Sequence, residues 1–155
     1  MKYEALMNPI EKLKSKVTGK NFDQTCEVVV KDLRMNVNHY TWVGIYLVDG
    51  NDLVLGAWDG PEATEHVRIP IGAGICGLAA RERSTVVVDD VNADPHYLAC
   101  FPYTRSEIVV PLMTADGKSV IGEIDIDSDT PSAFGEDDEV FLRDVARLLV
   151  ERYSA

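Results

Sequence analysis

Ser106–Ser128 reads SEIVVPLMTADGKSVIGEIDIDS. Its two ends are rich in β-branched residues, and ADGK between them carries the Asp-Gly pair favoured in tight hairpin turns. The stretch therefore predicts two antiparallel strands. Side chains of a strand alternate between its faces, so Asp125 and Asp127 share one side while Ile124 and Ile126 share the other. Glu107 opens the partner strand, and folding the hairpin brings it toward Asp125 or Asp127. An edge strand with a solvated acidic face is the plain reading. Glu107 favours an acidic cluster instead, which is costly to bury unless its carboxyls find partners. Such a cluster binds a cation, pairs with an ammonium or holds a shared proton, because like charges resist joint ionisation. Composition does not choose among the three.

Outward from this hairpin the chain alternates helical and extended patterns. Asn8 and Pro9 are suited to open a short helix in NPIEKLKSKVTG. NFDQTCEVVVKDLRMNV places Phe22, Cys26, Val29, Val30, Leu33 and Val37 at helical spacing. TWVGIYLV and LVLGAW, joined through DGND, read as a first hairpin. EHVRIPIG is a short extended segment, GAGICGLAARER a glycine-rich turn entering a helix, and STVVVDDV another strand. NADPHYLACFPYTR is a long, turn-rich loop. GEDDEVFLRDVARLLVERY closes as a helix with acidic residues at its start, where the helix dipole favours them. Val140, Phe141, Val145, Leu148 and Leu149 mark its apolar face. These elements predict an α+β domain spanning residues 1–155. A central antiparallel sheet of about five or six strands carries the terminal helices on one face. The segment from about Ile71 to Arg105 covers the other. No internal repeat or low-complexity tract interrupts the pattern.

The 155 residues are 46% apolar and 26% charged, which suits a globular chain with a sizeable core. Fifteen Lys and Arg against 26 Asp and Glu leave a net charge of −11. That balance argues against nucleic acid as a partner, and against docking on anionic membranes. No apolar run approaches the roughly 18 residues of a membrane span. MKYEALMNPIEKLKSK lacks the apolar core of a secretory signal, so a cytoplasmic protein is expected. Three cysteines do not make a disulfide framework. There is no CxxC, and His39, His66 and His96 show no zinc-ligand spacing with the cysteines, so no metal is expected.

The cysteines differ in setting. Cys26 lies within an apolar helical stripe and reads as a core residue. Cys76 sits in GAGICGLAA, where glycines permit a tight turn. If it falls in the first turn of the following helix, the dipole would favour its thiolate; otherwise it is a small residue packed under a turn. Cys100 lies in the long loop between apolar strands, where functional residues collect, and reads either as a nucleophile or as a buried plug. Trp42 and Tyr46 are four apart in a strand and share a face. Such pairs are mostly core, and aromatic rings around carboxylates also suit a small zwitterion.

Taken together, TWVGIYLV, LVLGAWDG, VRIPIGAGICGLAA, TVVVDDV, LAC, SEIVVPL and VIGEIDIDS resemble the GAF domain, a small-molecule-binding α+β module. More narrowly they are similar to the free methionine-R-sulfoxide reductases, and the 24-residue step from Cys76 to Cys100 fits that family's spacing. The resemblance implies that Cys100 is the catalytic cysteine and Cys76 its resolving partner. It places Glu107, Asp125 and Asp127 around the substrate, with Trp42 and Tyr46 on the pocket wall. It further implies no bound cofactor, an external thioredoxin-like dithiol as reductant, and a homodimer. Three positions depart from the family pattern. His66 stands where a third cysteine is usual, ten residues before Cys76. HYLACF replaces the frequent GHIACD, so that Tyr97 takes the place of a histidine and Phe101 that of an aspartate. These departures leave open a non-catalytic GAF module that binds a small amine-bearing ligand.

Overall fold

The computed structural model describes residues 8–99 and 101–154. Helix α1 spans Pro9–Lys16, and the Asn8 side chain accepts from the Ile10 N–H at 3.0 Å. Helix α2 spans Phe22–Asn36 behind a reciprocal cap. Asn21 accepts from the Gln24 N–H at 2.9 Å, and the Gln24 side chain accepts from the Asn21 N–H at 3.0 Å. Strands β1 (Trp42–Asp49) and β2 (Asp52–Asp59) form the first hairpin, and β3 (Arg68–Pro70) pairs with β2. Helix α3 (Gly74–Glu82) and strand β4 (Val86–Val88) follow. Strands β5 (Ser106–Met113) and β6 (Val120–Ser128) are the second hairpin, and α4 (Glu136–Ser154) closes the fold.

The strands make one antiparallel sheet in the order β3-β2-β1-β6-β5-β4. Its centre is the pairing of β6 with β1 on one side and β5 on the other. Period two sorts their side chains. Val43, Ile45, Ile108, Val110, Ile124 and Ile126 pack with α1, α2 and α4 in one core. Trp42, Tyr46 and Val109 face the other way, against Ile75, Cys76 and Ala79 of α3. Terminal helices therefore cover one face and the central segment the other, as the sequence predicts. Val140 does not join the apolar face of α4, because it is 51% exposed; Leu142 and Ala146 take its place in the core. The terminal segment is helical from Glu136, and a hundred-degree step per residue turns Val140 outward while carrying Phe141 and Leu142 inward.

The turn before α3 is set by close backbone approach. Ala73 N–H donates to Pro70 C=O at 3.0 Å, and Gly72 N–H to Gly77 C=O at 2.9 Å. A Cβ on Gly77 would lie 2.7 Å from the Pro70 oxygen and 2.8 Å from the Gly72 nitrogen. Only glycine lets the helix start pass so near its own entry strand. Gly77→Ala is expected to destabilise the protein by ~1–3 kcal/mol in urea unfolding. Gly56→Ala is the control: its Cβ would meet only the Ile45 oxygen, at 3.4 Å, and a near-zero cost is expected. Equal costs for the two variants would show that the Gly77 contact does not constrain the turn.

Candidate functional site

The β5–β6 register sets Glu107 opposite Asp127, and the β1–β6 register sets Gly44 opposite Asp125 and Tyr46 opposite Glu123. Glu123, Asp125 and Asp127 thus form a row on the α3 side of the sheet, with Glu107 beside them. All four are buried: Glu107 is 5% exposed, Glu123 0%, Asp125 3% and Asp127 2%. Glu123 is a site residue that the sequence reading passes over. The signal was present, since the alternation that pairs Asp125 with Asp127 extends back one more step to Glu123.

Few donors meet this row. Thr104 Oγ1 donates to Asp127 Oδ2 at 3.2 Å, and Glu107 hydrogen-bonds toward both Asp125 and Asp127. Neither oxygen of Glu123 meets a nitrogen or oxygen donor among the described residues, nor does Oδ1 of Asp125 or of Asp127. Two carboxylates cannot hydrogen-bond without a proton between them. Burial pushes Glu123 well above the ordinary carboxylate range, and neighbouring Asp125 pushes it further. Burial likewise raises Asp127 strongly, again with Asp125 adding to it. Asp125 is itself raised by burial, against the opposing pull of Glu107, Cys76 and the His66 charge. The cluster is therefore one of protonated or proton-sharing carboxyls.

Cys76 enters this cluster from α3. It falls in the first turn of the helix, as its glycine-rich context suggests, and is buried against Glu123 and Asp125. The expected thiolate-favouring effect of the dipole does not prevail. Burial raises the thiol, and the charges of Asp125, Glu123 and Glu107 raise it further. The helix end offers a partial charge, whereas three carboxyls crowd the sulfur. Cys76 is thus a protonated thiol in the closed site. Cys26, on the opposite core, is pushed up to about 12 by burial and by Asp23 and Glu27, and fits the reading of a core residue.

Trp42 and Tyr46 share the α3 face with the carboxyls. Trp42 Nε1 donates to the Glu62 carbonyl at 3.2 Å and Tyr46 Oη to that of His66 at 2.8 Å. The two rings pin the 60–67 loop and carry His66 to the cavity. Trp42 stacks on Trp58 with centroids 6.2 Å apart and also meets Phe101 at 5.7 Å. Phe101, which replaces the family's aspartate, is buried among aromatics and stacks on Tyr103. Cys100 lies outside the described residues. His96 is half-exposed on its loop beside Asp94 and stands apart from the carboxyls.

His66, Ile69, Gly74, Ile75, Cys76, Leu98, Glu107 and Asp125 line a cavity with about 10 Å³ of room for the centre of a water molecule. That holds at most one water. Leu98 closes it by lying over Gly74, whose Cβ would come 2.8 Å from the leucine. Larger grooves lie elsewhere, such as one of about 430 Å³ between Met113 and α4, but its lining brings no thiol together with carboxyls.

A single antiparallel sheet with helices on one face and a buried acidic niche under α3 on the other defines an α+β module. The GAF domain family matches residues 21–152, and the chain belongs to that family. It is 39% identical over 150 residues to GAF domain-containing protein A of Dictyostelium discoideum, covering 95% of this chain and 89% of that one. It is 38% identical over 122 residues to the free methionine-R-sulfoxide reductase of Saccharomyces cerevisiae, covering 77% of this chain and 64% of the relative. It therefore spans less than two thirds of the yeast protein. The crystal structure of free methionine-R-sulfoxide reductase from Neisseria meningitidis in complex with its substrate superposes with a TM-score of 0.85. That pair is 37% identical over 94% of this chain and 86% of the other. Among the described residues no helix is long and apolar enough to cross a membrane.

The raised carboxyls make a testable statement about stability. A carboxyl whose folded-state pKa lies above its unfolded value binds more protons folded than unfolded between the two values, so stability falls as pH rises through that window. The window opens near about pH 4.3, the unfolded value of a glutamate, and extends upward. Glu123→Gln removes this proton. Chemical unfolding is expected to show wild type losing more than about 1 kcal/mol relative to the variant between about pH 5 and pH 8. Parallel stability curves would contradict a protonated Glu123.

Proposed function

We propose that this protein reduces free L-methionine-R-sulfoxide to methionine by thiol chemistry. The observation that carries the reading is the buried row of Glu107, Glu123, Asp125 and Asp127 packed beside the Cys76 thiol, with Glu123 and Asp127 held well above the ordinary carboxylate range. The kinship with proteins named free methionine-R-sulfoxide reductase supports it.

In this scheme the Cys100 thiolate attacks the sulfoxide sulfur. A protonated carboxyl of the row gives its proton to the departing oxygen. The released hydroxide oxygen then bonds to the Cys100 sulfur as the Cys100–substrate S–S bond breaks, its electron pair leaving with the substrate, so that Cys100 becomes a sulfenic acid and methionine departs. The Cys76 thiol then condenses with the sulfenic acid, releasing water and forming a disulfide. An external thioredoxin-like dithiol reduces that disulfide and is itself oxidised. The carboxyls that do not donate hold the substrate ammonium, and Trp42 and Tyr46 support the wall behind them. Access gated by Leu98 restricts the site to a free amino acid. No bound cofactor is required, and the protein acts as a homodimer in the reducing cytoplasm.

One observation favours the alternative of a binding module without turnover. Phe101 packs on Trp42 where the family pattern has an aspartate, which removes a polar group next to Cys100. The two readings separate in a coupled assay with thioredoxin, its reductase and NADPH. Turnover is expected with the R epimer and not the S epimer. Cys100→Ser is expected to lose at least about a thousandfold. Cys76→Ser is expected to release about one methionine per chain and then stop. Absence of turnover from folded, reduced wild-type protein, with saturable binding of methionine sulfoxide, would establish the binding module instead.

A further inference from the structure

We infer that the closed site is also a binding site for one zinc-class divalent ion, held by Cys76, Glu107 and Asp125 with His66 as the fourth donor. The Cys76 sulfur and one carboxylate oxygen each from Glu107 and Asp125 lie within 4.8 Å of one another, and all three residues are buried. His66 lines the same cavity and offers a neutral imidazole nitrogen. Sulfur, imidazole and carboxylate are the donor types that zinc takes in fours.

A second observation points to a cation ligand set rather than to a merely packed thiol. Asp125 Oδ1 is buried at the cavity and meets no nitrogen or oxygen donor among the described residues, and neither do the two Glu123 oxygens beside it; only the Cys76 thiol stands near. Buried carboxylate oxygens without donors are costly. The cavity has room for the centre of one water-sized body, which excludes larger ligands in this state and admits a metal ion. Donors of one tetrahedral zinc stand roughly 3.3–3.8 Å apart, so Cys76, Glu107 and Asp125 close by about an ångström, and His66, which lies outside their 4.8 Å set, swings in from the cavity wall. The thiol selects zinc and cobalt over magnesium and calcium, which prefer all-oxygen shells.

Spacing in the sequence hides this set because its members come from four places: the loop before β3, helix α3 and strands β5 and β6. On binding, the Cys76 proton and the proton shared by Glu107 and Asp125 leave to solvent, and the ion takes their place. The metal then competes with a substrate ammonium for the same carboxyls and sequesters Cys76. Binding stands independently of the reductase reading; inhibition through Cys76 rests on it.

The test uses the full chain, reduced and stripped with EDTA, titrated with Co²⁺ and then Zn²⁺. One ion per chain is expected, with a thiolate-to-cobalt charge-transfer band that Zn²⁺ abolishes and Mg²⁺ does not. Cys76→Ser is expected to lose the band, while Cys26→Ser and Cys100→Ser keep it. Asp125→Asn, checked for folding by circular dichroism, is expected to weaken Zn²⁺ binding at least about tenfold in competition with a chromophoric chelator. No saturable binding, a band retained in Cys76→Ser, or unchanged affinity in Asp125→Asn would overturn the inference. Turnover is measured on the metal-free protein in parallel. A cobalt band without turnover would leave the ion site standing and remove the reductase reading, whereas turnover insensitive to Zn²⁺ without a band would do the reverse.

Discussion

The pairing of β5 with β6 in the register Glu107 opposite Asp127 and Ile108 opposite Ile126 governs the rest of the molecule. It fixes which side of the sheet is oily and which is acidic. The isoleucines bind the terminal helices into one core, and that burial supplies the stability against which the acidic side is maintained. A slip of one residue would exchange the two sets and leave neither face able to pack. The acidic row is therefore a consequence of the same alternation that builds the core.

Burial alone does not decide the state of a carboxyl here. Asp138, in the first turn of α4, is also buried, and burial works against its charge. Yet it lies below the ordinary carboxylate range, because Tyr40 Oη meets it at 2.6 Å, His39 Nε2 at 3.0 Å and the Gly135 N–H at 2.9 Å. Glu123 has no such set of donors and goes the other way. One carboxylate caps a helix as a charge, and the other waits in a niche as an acid. The contrast separates the two settings: donors surround the carboxylate that holds its charge, and few reach the one that burial pushes toward its neutral form.

Much of this was legible in the sequence because it depends on local period. The two hairpins, helix α2 and the shared face of Asp125 and Asp127 follow from strand alternation, the helical spacing from Phe22 to Val37, and the ADGK turn. The approach of Glu107 to Asp125 or Asp127 follows from closing that hairpin, and the register settles on Asp127. What could not be read depends on partners distant in sequence. The sign of the Cys76 shift required knowing that β6 passes beneath α3. The role of Trp42 and Tyr46 as anchors for the 60–67 loop, rather than as lining of the small cavity, required the packing of that loop on β1. Glu123 is a different case: the alternation marked it, but no partner in the hairpin drew attention to it. The position of Cys100 lies outside what the structure describes.

The central claim is that this sheet face keeps a proton on Glu123 or Asp127 beside a protonated thiol. A pH titration of the side-chain carboxyl resonances, assigned through Glu123→Gln and Asp125→Asn, reads it directly. The account predicts that at about pH 7 Glu123 or Asp127 remains protonated in the reduced, metal-free protein. Four carboxyls all ionised with ordinary values near about pH 4 would contradict it.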